Sequence, residues 1–454
     1  MVKTTKNPVR KPHNNKSKKI NKNKVKHFPL GDARPQVINA LYTEFSNVYN
    51  NLKIIKNYTS NRSSRITGIT VPHAGFEYSG FFAMMAISEL LSPKDKQVYV
   101  LWFRHNPNSY TEHSYKNIEL LIKKLFPTII ISKFFIDSTT QLNNLNIQDN
   151  IPIIVSTDFS HYNIPPPARD MREAWENDKQ ILLNGKLDMT SMKKTPCGAQ
   201  PVRIFFDIMK KFKQDRVLLG YSNSQYKENW WHDYRDNMPF DGVTYAALAS
   251  IKRRTDNFFS LLNSKMLSYS HLHCVKEYLE TNRPFGNRLF WSPLKRMVGS
   301  CFVTVYSMDN NGKYHTYSCF GSWQPQTRGL LQNVENACNS VKKSSWGNHQ
   351  PVSPTVLKTL GKYKLTITLI QPTEYWKDVT DTEIKKREKG RGYAYFNKES
   401  DTVGMTYLPS VWDMIPTKEE FFAGLKRKHS GPYGSVQGWR LYSYESITYS
   451  LIVN

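Results

Sequence analysis

Between residues 65 and 250, short apolar runs alternate with helix-like stretches, and this alternation limits the fold more than any other feature of the chain. The runs at 65–71 (RITGITV), 97–103 (QVYVLWF), 128–135, 151–156 and 217–222 have strand length, and 242–250 (GVTYAALAS) closes the series. Between them, 81–91 (FFAMMAISELL), 117–126, 168–183 and 202–212 carry apolar residues at helical spacing. Strands that alternate with helices fold as βαβ units, so an α/β domain is expected, with a mostly parallel sheet flanked by helices. The pattern stops near Ile251. Beyond residue 265 the order is irregular. A hairpin is predicted from 300–306 and 314–320 around Asp309-Asn310-Asn311-Gly312, followed by a helix at 330–341 and a strand at 363–372. A charged loop at 385–391, a strand at 402–407 and an amphipathic helix at 417–428 complete it, which is α+β order. The expected organisation is a basic disordered tail at 1–28, an α/β domain at 29–251, a linker at 252–264 and an α+β domain at 265–454.

At 454 residues the chain exceeds one ordinary core, and its 39% hydrophobic and 13% aromatic content argues against wholesale disorder. No stretch approaches the roughly 20 apolar residues of a membrane helix, and the N-terminus lacks the apolar segment of a signal peptide. The five cysteines (Cys197, Cys274, Cys301, Cys319 and Cys338) form no CxxC pair and no regular framework. An intracellular, reducing location is therefore expected, cytoplasmic or nuclear. The formal charge is +26, and residues 1–27 hold ten Lys/Arg and no acid. The plainer reading of that arm is a solvated tail. Contact with nucleic acid is the alternative, and no recognition motif accompanies the charge.

Chemistry-bearing residues gather at predicted strand ends. His73 follows the strand at 65–71, His105 follows 97–103, and Asp158 and His161 follow 151–156. Ligands of parallel α/β sheets bind outside the carboxyl ends of strands, so these side chains can converge. Cys197 precedes the helix at 202–212, where a helix N-terminus favours thiolate, the metal-binding form. Imidazole and thiolate suit iron, copper or zinc, and three protein ligands would leave a position open. Asp158 and His161 would then stand beside the metal and handle protons. A lone histidine at a strand end is more often a surface or hydrogen-bonded residue; the joint pattern carries the reading.

The segment Pro72-His73-Ala74-Gly75-Phe76-Glu77-Tyr78-Ser79-Gly80 resembles the Memo family signature, as do Ser156-Thr157-Asp158-Phe159-Ser160-His161-Tyr162 and Cys197-Gly198 followed by Pro201. Glu112-His113-Ser114 is similar to that family's Glu-His-Ser segment. The resemblance spans roughly residues 29–250. It implies a fold like the class III extradiol dioxygenases, and one iron or copper ion per chain held by His73, His105 and Cys197. Asp158 and His161 would flank the pocket, with Tyr78, Glu112 and His113 as further pocket candidates. Around His105 the chain reads Trp102-Phe103-Arg104-His105-Asn106, where the family has a Gly-Pro-Ser-His-His type segment.

From about residue 265 the chain is similar to the AMMECR family, through Gly299-Ser300-Cys301-Phe302-Val303, Ser318-Cys319-Phe320-Gly321, Leu408-Pro409-Ser410-Val411-Trp412 and Trp439. That family's Leu-Arg-Gly-Cys-Ile-Gly hallmark here lacks its arginine and first glycine. Cys319 is the second-domain candidate, either a functional thiol or, as favoured, a small buried strand residue. Two functions stay open. One is a metalloprotein with redox or dioxygen-related chemistry on an unknown substrate. The other is a catalytically degenerate scaffold that binds a peptide or protein partner.

Overall fold

The structure, a computed structural model, describes residues 35–56, 66–104, 113–162, 167–169, 171–187, 195–224, 240–252, 264–282, 285, 294, 297–322, 329–345, 349–379, 391–400, 402–415 and 417–453. Helix α1 (Pro35–Asn51) leads into β1 (Leu52–Lys56), then β2 (Ile66–Val71), α2 (Phe81–Leu90), β3 (Gln97–Trp102), α3 (His113–Leu125) and β4 (Ile130–Phe135). There follow β5 (Ile153–Ser156), α4 (Met171–Leu182), α5 (Ala199–Lys211), β6 (Gln214–Asn223) and β7 (Thr244–Lys252). These include a six-stranded sheet of order β4-β3-β5-β2-β7-β6. The sheet is mixed: β4, β3, β5 and β2 run parallel, whereas β7 lies antiparallel to β2 and β6 antiparallel to β7. β6 and β7 are consecutive in the chain and pair directly with one another, antiparallel. The central strands β2, β3 and β5 are buried on both faces, which is why they read as nearly continuous apolar runs. Helix α2 is almost wholly buried, from Phe82 to Leu90, and contacts β2, α1, α3 and the later α6 (Lys265–Thr281).

The second half holds β8 (Ser300–Met308), β9 (Tyr314–Ser322), α7 (Leu330–Lys343), α8 (Pro354–Leu360), β10 (Tyr363–Ile370), β11 (Lys377–Asp378), β12 (Gly392–Asn397), β13 (Thr402–Tyr407), α9 (Lys418–Tyr433), β14 (Arg440–Tyr444) and β15 (Ser446–Val453). One antiparallel sheet has the order β1-β15-β10-β8-β9 and another β11-β14-β12-β13. β8 and β9 form the expected hairpin, with Gly312 at φ 77° in the turn, a left-handed conformation that glycine adopts without steric cost. β1, which precedes the six-stranded sheet in the chain, pairs with β15 at the far end of it. Helix α6 contacts β1, β6, β10 and β15 as well as α2, so the two halves share one continuous apolar core. At this junction the half-buried Glu89 carboxylate accepts the backbone N–H of Lys265 (2.9 Å), and desolvation pushes its pKa up to about 7.

The chain is therefore mixed α/β. Most of the expected linker at 252–264 and of the charged loop at 385–391 lies outside the described residues. Among the described residues no helix is long and apolar enough to cross a membrane.

Candidate metal centre

β5 lies between β3 and β2, so the three parallel strands end side by side. His73 sits just beyond β2, Asp158 just beyond β5, and Cys197 just before α5. The main chain locks these segments together. Thr157 N–H donates to the Val71 carbonyl (3.0 Å) and Cys197 N–H to the Asp158 carbonyl (3.1 Å). Gly198 makes the second contact sterically feasible, because a Cβ there would stand 2.7 Å from the Ser156 carbonyl oxygen. Helix α3 fastens the other side: Asn117 Nδ2 donates to the His73 carbonyl (2.9 Å), and Ser114 Oγ to the Phe103 carbonyl (2.6 Å).

The result is a cluster of three different donor types. Ligand atoms of His73, Asp158 and Cys197 all lie within 4.8 Å of one another. His73 Nε2 is 3.4 Å from Cys197 Sγ and 3.7 Å from Asp158 Oδ2. Two ligands bound at about 2.0–2.3 Å to one tetrahedral ion stand roughly 3.3–3.8 Å apart, so these spacings fit a shared ion. Asp158 Oδ1 accepts the His73 backbone N–H (3.0 Å), which orients the carboxylate, and the Asp158 N–H points at Cys197 Sγ (3.2 Å).

Hydrogen-bond arithmetic fixes the imidazole tautomer. Ser156 Oγ donates to the Ser114 carbonyl, and a hydroxyl has one proton to give. It can therefore only accept from His73 Nδ1, 2.9 Å away. Nδ1 therefore carries a proton, and Nε2 is the ring nitrogen that faces Cys197 and Asp158. In the neutral ring this leaves the lone pair on Nε2, the form that binds a metal.

The thiol differs from expectation. Cys197 does precede a helix, yet burial, and then the Asp158 charge beside it, hold its pKa well above the usual thiol range. A helix N-terminus is worth up to about 2 kcal/mol, too little to offset both. Without a cation Cys197 is a thiol, its sulfur within reach of His73 Nε2 (3.4 Å) and of the Asp158 carbonyl (3.5 Å). A divalent ion would reverse the balance, since it would neutralise a buried thiolate and the Asp158 carboxylate together. His73 is 1% and Asp158 4% exposed, so water can do little of that work.

A second layer supports the loop that carries Asp158. Asp178 of α4 is fully buried and accepts three hydroxyls, Ser160 Oγ, Thr244 Oγ1 and Tyr221 OH, each at 2.6 Å. Burial raises its pKa to about 6, although these hydrogen bonds pull the other way. Thr244 Oγ1 also accepts the Ser160 N–H (2.8 Å), so the carboxylate anchors the segment two residues past Asp158. Tyr245 reads in the sequence as one apolar position of a strand. Its hydroxyl is buried without a well-formed hydrogen bond, and burial together with the nearby Asp158 charge raises its pKa far above the usual phenol range. No sequence signal distinguishes it. Tyr78 lies half-buried on a π-helical turn, Phe76–Gly80, within electrostatic reach of Tyr245. Such turns concentrate at functional sites.

Of the remaining candidates, His105 and Glu112 lie outside the described residues, as does the side chain of His113. The segment before His105 does reach the centre: the Phe103 ring packs 5.8 Å from the His73 ring, and the Arg104 guanidinium lies over Phe135 (5.4 Å). His161 is half-buried and bridges through its backbone to Val243, and it is not part of the donor cluster. Cys319 lies in β9 opposite Thr304, whose hydroxyl donates to its sulfur (3.1 Å). Burial raises its pKa, against the smaller pull of Lys428. Among the described residues no histidine, carboxylate or second cysteine joins it in a donor cluster.

No protein-family model matches the chain, and no curated protein matches it. Among solved structures, the crystal structure of an uncharacterised protein from Pyrococcus horikoshii aligns over 39% of this chain and 86% of its own, at 16% identity and a TM-score of 0.31. So slight a likeness carries no argument about fold or function.

Proposed function

We propose that the chain holds one transition-metal ion, iron or copper, between His73, Asp158 and Cys197, and performs redox or dioxygen-related chemistry on a substrate yet to be identified. On this reading its motifs mark a Memo-type, extradiol-dioxygenase-like half fused to an AMMECR-type half. The observation that carries it is the meeting of an imidazole nitrogen, a carboxylate and a thiol at one point, with Nε2 3.4 and 3.7 Å from the other two. The mixed nitrogen, sulfur and oxygen set suits iron, copper or zinc and disfavours magnesium or calcium. Three protein ligands leave a position for substrate, as reactive rather than structural sites do. When bound, the ion supplies Lewis acidity and one-electron redox capacity. The chain's own part is to orient His73 through Ser156, to hold Asp158 by the His73 N–H, and to keep water out. The buried Tyr245 hydroxyl beside Asp158 can donate a hydrogen bond to a bound substrate, and His161, on the Asp158 loop, is the candidate proton carrier.

Cobalt(II) added anaerobically to metal-free protein tests this directly. A thiolate-to-metal charge-transfer absorption is expected, lost in Cys197→Ser and retained in Cys319→Ser. A band of equal intensity in Cys197→Ser would overturn the assignment. A protein that takes up no ion at all would be read as the interaction module.

A further inference from the structure

Away from the metal centre, the end of α9 closes over one edge of the four-stranded sheet, and a histidine sits inside the closure. β13 is the edge strand, and its pairing with β12 slips between Ala394 and Phe396. At the slip the Met405 N–H donates to Nδ1 of His429 on α9 (3.5 Å). The His429 side chain is fully buried. Its ring meets Tyr395 of β12 at 4.6 Å, Tyr433 at 5.1 Å in a stacked arrangement, and Trp439 at 4.6 Å edge to face. The remaining side is bare backbone, because a Cβ at Gly404 would fall 2.6 Å from the imidazole. Three aromatic rings and a glycine thus enclose one ionisable ring.

A backbone N–H can only donate, so Nδ1 is the acceptor and the closed ring is neutral, with its proton on Nε2. Nε2 is itself buried and has no hydrogen-bond partner among the described residues. A second proton would turn Nδ1 into a donor that faces the Met405 N–H. One hydrogen bond would be lost, and a charge with two unmatched donors would stay in the enclosure. The facing rings attract a cation but supply no acceptor. Burial accordingly lowers the His429 pKa. The other titratable groups against the ring are the phenols of Tyr395 and Tyr433, and phenols carry no charge in acid. Of the adjoining cations, Lys428 donates to the Thr406 carbonyl (3.1 Å) and Arg440 pairs with Asp378 (3.3 Å).

The cover over His429 is built to part from the sheet. Lys428 pins α9 to β13, and past that point the helix contains Pro432, which has no N–H to give to the preceding turn. Gly434 and Gly438 follow at φ 70° and 80°, left-handed conformations that glycine enters and leaves at little cost. Tyr433 is 43% exposed, so solvent already reaches the outer wall. We propose that residues 430–439 form an acid-opened lid: protonation of His429 breaks its bond to the Met405 N–H, drives the ring out from between Tyr395, Tyr433 and Trp439, and uncovers the edge of β13. In water the ring takes up its proton near the ordinary value of about 6.5, more readily than when enclosed. The closed form is therefore fully favoured above that pH and loses ground as pH falls below it, by up to about tenfold in the open-to-closed ratio per unit.

The test is hydrogen–deuterium exchange of the full chain between about pH 7.5 and about pH 4.5, corrected for the intrinsic rate at each pH and read on peptides covering 403–408 and 430–440. In the wild type, opening of these two segments should rise by about tenfold or more on acidification, exceed any rise in β14, and reverse on return to neutral pH. In His429→Phe, which keeps a ring in the enclosure but cannot titrate, the rise should shrink to less than about twofold. The proton resonance of His429 Cε1, followed by NMR in the wild type, gives a readout that needs no variant: its midpoint should fall below about 6.5 and its titration should accompany the rise in exchange. Exchange that does not respond to acid, that responds equally in His429→Phe, or that rises as much in β14 as in the lid overturns the proposal. So does a His429 that titrates at the ordinary value while the lid stays shut.

Discussion

Of the five cysteines, Cys197 and Cys319 are the two that are only partly covered, and burial raises the pKa of both. Their neighbourhoods differ because their places in the two halves differ. Cys197 stands where loops from β2, β5 and α5 meet, so residues far apart in sequence bring it an imidazole at 3.4 Å and a carboxylate. Cys319 lies within an antiparallel ladder, with the Thr304 hydroxyl of the facing strand at 3.1 Å and the Lys428 charge of α9 nearby. The same residue type, similarly covered, is a ligand candidate in one half and a packing residue in the other.

Exchanging the two thiols' fates should produce the largest effect. His73→Ala or Cys197→Ala should cut metal affinity by about 10³-fold or more, since each removes one of three ligands, whereas Cys319→Ala should change it less than about twofold. Competition against a chelating indicator measures both, and a similar loss in Cys319→Ala would erase the contrast.

Next comes the anchor behind the Asp158 loop. The Asp178 pKa is raised to about 6 in the folded protein and returns to about 3.9 on unfolding. The folded form therefore binds that proton more tightly. The stability it confers is full below about pH 4 and is lost as pH rises through about 6, an effect of about 3 kcal/mol. Denaturant unfolding at a series of pH values should show this decline in the wild type and a flatter profile in Asp178→Asn. Equal slopes would mean the carboxyl titrates normally.

A smaller effect is expected at the residue that sets the His73 tautomer. Ser156→Ala removes the acceptor of Nδ1–H and should weaken metal binding about 10–100-fold while the ligands stay in place. Unchanged affinity would mean the imidazole needs no such partner. Smallest is the matching change in the other half. Thr304→Ala deletes the hydrogen bond to Cys319 and should cost about 1 kcal/mol of stability with metal binding untouched.

Much of the first half is legible from pattern alone. The run QVYVLWF becomes β3, and FFAMMAISELL becomes α2, with ends shifted by a residue. Strand direction is not legible that way, because β7 is as apolar as a parallel strand yet runs antiparallel to β2. Helix α6 hides for another reason. Ser268, Ser270 and His271 are buried along with its apolar residues, so it has no single apolar stripe to detect. The pairing of β1 with β15 joins segments nearly the whole chain apart, and nothing in LKIIK names its partner. In the site, His73, Asp158 and Cys197 are legible because chain order puts them at strand and helix ends. That Asp158 stands among the donors, that Ser156 orients His73, and that Tyr245 faces this region depend on side-chain directions that only packing sets. The thiolate expected at Cys197 from its helix is not favoured, because burial beside a carboxylate is invisible in the sequence.

The most direct test of the metal centre is the metal content of the purified full chain, wild type beside His73→Ala, Asp158→Ala, Cys197→Ala and His105→Ala, after anaerobic loading with iron(II) or copper(I). One ion per chain in the wild type, lost in the His73, Asp158 and Cys197 variants, is the predicted result, and the His105 variant decides whether that residue adds a fourth ligand. No bound metal in the wild type, or full occupancy in any of the first three variants, would contradict the account.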